Sequence, residues 1–110
     1  MKRLKIMLDY GEGPIWTKYY DEAKNKLITG IETVDNDEEL WTLNDEIQDL
    51  YSSFYKIDYK DEPVYFNKEE EKLNKDKMLG LIKKLIVRLE QINDGSFVID
   101  DRETERIRNL

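Results

Sequence analysis

Apolar and polar residues alternate from Arg3 to Tyr10. Leu4, Ile6, Leu8 and Tyr10 fall on one side and Arg3, Lys5, Met7 and Asp9 on the other, the two-residue period of a half-buried strand. Gly11 to Pro14 reads as a turn. The aromatic-rich stretch Ile15–Tyr20 predicts a second strand, paired antiparallel with the first. Asp21–Lys26 reads as another turn, and Leu27–Ile31 as a short third strand that Gly30 weakens.

The period then changes. From Asp35 to Tyr55, Leu40, Leu43, Ile47, Leu50 and Phe54 recur at three- and four-residue steps, which puts them on one face of a helix. Asp35 or Asn36 is placed to cap its start, with Glu38 three residues after Asp35. Lys56–Glu62 reads as a polar connection, and Val64–Phe66 as a strand opened by Pro63. Asn67 and Glu70 then mark the start of a second helix running to about Asn93, with Met78, Leu81, Ile82, Leu85, Leu89 and Ile92 as its stripe. Leu73 lies off that stripe, so a break or restart is expected near Asn74. Gly95 ends the helix, Phe97–Ile99 predicts a last strand, and residues 100–110 a charged tail, helical or frayed. Grouped strands followed by one-faced helices predict an α+β fold in a single domain spanning 1–110. Its expected architecture is a mostly antiparallel sheet of four to five short strands with two main helices packed on it.

Charge sharpens this picture. The chain has 110 residues, a charged fraction of 39% and a formal net charge of −7. Residues 30–62 hold eleven acids against Lys56 and Lys60, so all the net negative charge sits in one contiguous third. Such a field repels nucleic-acid backbones and speeds association with a basic partner. The default alternative is a merely solvated helix face. There is no cysteine, hence no disulfide or zinc–thiolate site, and the amino-terminal MKRLKIML is neither a signal peptide nor a membrane span. A cytoplasmic protein is expected.

Candidate chemistry is sparse. With no histidine, the commonest general base and metal ligand are missing. Gly11-Glu12-Gly13 follows a strand, but Trp16 stands where a dinucleotide fingerprint needs its third glycine. Asp35, Asp37, Glu39 and Glu46 have calcium-loop spacing, but Leu40 replaces the required glycine. The second helix mixes Lys72, Lys75, Lys77, Lys83, Lys84 and Arg88 with Glu69, Glu70, Glu71, Asp76 and Glu90, which leaves no clean basic stripe for nucleic acid. A binding protein without catalytic residues, metal or cofactor is expected rather than an enzyme.

The candidate binding face is the acidic helix. At 100° per residue, Trp41 lies roughly 140° from the centre of the apolar stripe, beside Glu38, Asp45 and Asp49. A tryptophan among carboxylates resembles an interface anchor; cover by a loop or the following strand is the alternative. The predicted partner-binding residues are Asp37, Glu38, Trp41, Asp45 and Asp49, extended by Tyr55, Asp58, Tyr59 and Asp61.

KIMLDYGEGPIW, a strand ending in Leu-Asp-Tyr and then Pro-x-Trp, followed by DNDEELWTLNDEIQDLYSSFY, resembles small acidic immunity proteins of bacterial polymorphic-toxin systems, over roughly residues 5–66. The resemblance implies a protein that binds and neutralises the carboxy-terminal domain of a cognate toxin, often a nuclease, by occlusion. The partner would be protein, with no nucleic acid or membrane, and the chain monomeric before the complex forms. A second class stays open: a phage- or plasmid-encoded acidic DNA mimic or regulator that binds a basic host protein. A third, an enzyme or small-ligand protein, requires a pocket for which the sequence gives no sign.

Overall fold

The computed structural model describes residues 2–58 and 62–110. Tyr59 and Asp61 therefore lie outside the described residues. The elements run β1 (Lys2–Ile6), β2 (Tyr19–Asp21), β3 (Lys26–Ile28), α1 (Glu32–Asp35), α2 (Glu38–Ser52), β4 (Tyr55–Asp58), β5 (Glu62–Phe66), α3 (Lys68–Leu73), α4 (Lys75–Ile92), β6 (Phe97–Asp101) and α5 (Thr104–Arg108).

The fold is α+β, but the expected four- to five-stranded antiparallel sheet does not form. The described strands make three separate pairs: β1 with β6 in parallel, and antiparallel β2–β3 and β4–β5. The strand expected at Ile15–Tyr20 is split: its pairing with β1 shrinks to one antiparallel bridge, Ile6 to Ile15, flanked by Met7 N–H to Pro14 O (2.9 Å) and Trp16 N–H to Lys5 O (2.9 Å), while Tyr19 and Tyr20 join β2. Two local bonds stop the ladder there. The Thr17 hydroxyl accepts the Lys5 N–H in place of a backbone carbonyl (3.1 Å), and the Lys18 N–H closes a three-residue turn on the Trp16 carbonyl (2.9 Å). The stretch read as a polar connection, Lys56–Glu62, contains most of β4 and the first residue of β5.

The helices follow their stripes more closely. In α2, Leu40, Ile47 and Phe54 (just past its end) are fully buried; in α4, Met78, Ile82, Leu85 and Leu89 are. These residues join Leu4, Ile6 and Phe97 of the parallel pair in one core cluster, so α2 and α4 pack together beside β1–β6. The break expected near Asn74 is present: Asn74 closes α3 and precedes α4. Gly80 sits mid-helix on the solvent side of α4, at about 1 kcal/mol of lost helix propensity relative to alanine. The tail read as helical or frayed is α5, and its Ile107 is fully buried.

The start of the acidic helix is corrected. Asp35 is not its cap. Its carboxylate accepts from Thr29 N–H (2.7 Å), Thr29 Oγ1 (2.8 Å) and Gly30 N–H (3.0 Å), which turns the chain from β3 into α1. The cap is Asp37, which accepts the Leu40 N–H at 2.8 Å.

Candidate functional site

Two polar or half-polar residues shift the buried face of α2. Asn44 and Tyr51 are buried, whereas Leu43 and Leu50 are only partly so. At 100° per residue this turns the buried face by roughly 40° toward Trp41. Trp41 accordingly packs at the margin of the core, and its indole N–H donates to the Val34 carbonyl of α1 at 3.0 Å. It is covered by the segment that precedes the helix and does not stand out from the acidic face.

The next side of α2 is a row of hydrogen-bonding side chains one turn apart. Asn44 Oδ1 accepts the Ile15 N–H (3.1 Å), Gln48 Nε2 donates to Gly11 O (3.1 Å), and Ser52 Oγ accepts the Gly11 N–H (3.2 Å). Together they strap residues 11–15 along the helix. Gly13 is buried against this row, where a Cβ would stand 2.6 Å from Asn44 Oδ1.

The strapped loop begins with a tight turn. Glu12 N–H donates to Asp9 O (3.2 Å), and Gly11 occupies the third position with φ of +71°. Tyr10 thereby stands at the tip. The alternation placed it with Leu8 on the inner side, but β1 has ended by then and Tyr10 is 55% exposed. Its ring lies 4.8 Å from that of Tyr55, which contacts Tyr51 (5.9 Å) and Phe66 (5.0 Å). Tyr51 is buried, and burial, assisted by the Tyr55 hydroxyl, raises its phenol well above the ordinary range. The aromatic group thus grades from Phe54 in the core, through Tyr51 and Phe66, to Tyr55 and Tyr10 at the surface.

Beyond the strap on the helical wheel come Glu38, Asp45 and Asp49, all exposed. Three of the predicted residues therefore share one open row beside the loop that carries Tyr10, with Tyr55 adjoining. Asp37 belongs elsewhere. Its side chain is 8% exposed and bonds Arg88 of α4 through Nη2 (2.6 Å) and Nε (3.0 Å). The Arg88 guanidinium holds its carboxyl below the usual range, and Asp37 in turn raises Arg88. Asp58 closes β4 opposite Glu62. Tyr10, missed by sequence reasoning, carries a signal nonetheless: Asp-Tyr-Gly followed by glycine and proline is a turn, and a turn ends an alternation.

Among the described residues no group of carboxylates is placed to hold a metal ion, and no helix is long and apolar enough to cross a membrane. Comparison with family models, with curated proteins and with solved structures finds no match.

Proposed function

We propose that this chain is a binding protein that acts by occlusion: an immunity protein that neutralises a basic, nuclease-type toxin domain in the cytoplasm, without catalytic residues or cofactor. The observation that supports this reading is the row Glu38, Asp45 and Asp49 beside exposed Tyr10 and the half-buried Tyr55 it packs against. Gln48 and Ser52 tie the Tyr10 loop to the helix that carries the acids, which joins the two halves of the surface. A nuclease cleft is basic because it must hold phosphates, and such carboxylates would occupy it in their place. Opposite charge would speed capture, and the tyrosines would supply contact area that desolvates well.

Co-expression with the carboxy-terminal toxin domain encoded beside this gene tests the reading. The expected result is a stoichiometric complex and rescue from toxicity. The double change Asp45→Lys, Asp49→Lys should slow association by about tenfold or more while leaving the circular dichroism spectrum unchanged. Tyr10→Ala should act mainly on dissociation. Unchanged binding in these variants removes this face from the interface. Recovery of several unrelated nucleic-acid-binding proteins instead would favour a DNA mimic.

A further inference from the structure

A second surface lies along α4 and the adjoining side of α2, away from the row Glu38, Asp45 and Asp49. Along the outer side of α4, Gly80 and Val87 lie two turns apart. A methyl group built on Gly80 would meet nothing within 4 Å, so no neighbour in the fold requires its missing side chain. Val87 is 41% exposed. A groove of about 410 Å³ runs between α2 and α4, floored by Leu43, Gly80 and Val87. Across the ridge of α4 a second groove of about 450 Å³ exposes Leu79 and Ile86, and Lys83 and Val87 line both.

The rim of this surface is basic. Lys83, Lys84 and Arg108 make no salt bridge among the described residues. Arg88 is held by Asp37 and Glu39. Glu39, paired with Arg88, is the one acid lining the groove between α2 and α4, whereas Glu90 and Asp101 both line the second groove. In a chain of net charge −7, the groove between α2 and α4 is lined by Lys83, Lys84 and Arg88 against one acid.

We propose that this face of α4 docks an acidic amphipathic helix from a partner protein. Apolar side chains at helical spacing seat on Leu43, Gly80 and Val87. The bare backbone at Gly80 lets the partner helix come close, and its flanking carboxylates meet Lys83 and Lys84. A second copy of this chain fits poorly. Its acidic helix α2 already spends its apolar side on its own core, and a two-fold contact between α4 helices would set Lys83 and Lys84 against their own counterparts.

The probe is a synthetic leucine–glutamate amphipathic peptide of about five helical turns, with a leucine–lysine peptide of the same pattern as its control. Titrated into the isotopically labelled full chain, the acidic peptide should shift the amides of Leu43, Gly80, Lys83, Lys84 and Val87. It should bind about tenfold or more tightly than the control. Lys83→Glu with Lys84→Glu should remove that preference. Gly80→Leu should raise the thermal midpoint and yet weaken the peptide, because the new side chain fills space that the fold leaves open. Equal binding of both peptides, shifts centred on Tyr10 and Asp45, or no saturation at millimolar peptide would overturn the proposal. Dimerisation through the same residues would overturn it in favour of a second copy. The variants lie away from Glu38, Asp45 and Asp49, so this proposal and the toxin-binding reading fail separately.

Discussion

A carboxylate at the start of a helix can accept a backbone N–H or answer a positive charge, and Asp37 does both. Two substitutions separate the roles. Asp37→Asn keeps a capping oxygen and loses the charge facing Arg88; Asp37→Ala loses both, at a further cost of about 1 kcal/mol. The folded carboxyl is held below its ordinary value, so the charge contribution is complete above the unfolded value near about 4 and is lost as pH falls through the folded one. Urea unfolding should therefore show Asp37→Asn weaker than the parent at neutral pH, with the difference closing in acid. A gap that persists unchanged in acid would mean that Arg88 contributes nothing through charge. At this scale the sequence misleads where one residue interrupts a period. Asn44 looks like a surface residue because it is polar, yet it is buried over Gly13 with its oxygen on the Ile15 N–H. Leaving it out of the apolar stripe is what exposed Trp41 on paper.

Among elements, α5 depends on one charged cluster. Arg106 bonds Glu71 of α3 (2.9 Å) and Glu103 (2.6 Å), and the other oxygen of Glu103 accepts the Leu8 N–H (3.0 Å). Both glutamate side chains are nearly covered, at 4% and 6% exposed. Arg106→Ala would strand two buried carboxylates, and the expected cost is about 3 kcal/mol. The denaturation midpoint should fall with an unchanged slope, and α5 amides should exchange faster. Loss of less than about 1 kcal/mol would show that water already serves these carboxylates. The two long helices, α2 and α4, are legible in the sequence because each repeats its apolar residues every three or four positions, whereas the four-residue α1 shows no such repeat. The break at Asn74 is legible because Leu73 leaves the stripe. The strands are less so. Their pairing depends on partners that no local pattern names, and β4 hides in the sequence among lysine and aspartate.

The whole molecule spreads its surface. Its radius of gyration is 15.2 Å, against about 13 Å for a compact domain of this length, and its longest extent is 47 Å. Opposite charges occupy different helices, with acids along α2 and free cations along α4. Capture of a basic partner by α2 should therefore slow by about tenfold or more between about 0.02 M and about 0.5 M salt, while dissociation changes little. Stopped-flow mixing with the toxin domain proposed as its partner would measure both, and a salt-independent association rate would count against steering. The acidic third of the chain and three of its exposed carboxylates could be read directly from the sequence. The tyrosine tip beside them could not, because it exists only where the loop from Gly11 to Ile15 is strapped to a helix whose residues lie about thirty positions later. The parallel pairing of β1 with β6 has a consequence for biosynthesis. Every register pair, Lys2 with Phe97 to Ile6 with Asp101, and the Leu8–Glu103 bond beyond them, joins residues 95 apart. During translation Leu4 emerges early and waits for its strand partner, with only the Ile6–Ile15 bridge beside it, until almost all of the chain described here has been made. The helices and the two antiparallel pairs can form as they leave the ribosome, but the β1–β6 pair closes last. The proposed binding face carried on α2 is therefore backed by a complete core only once β6, with its buried Phe97, has left the ribosome.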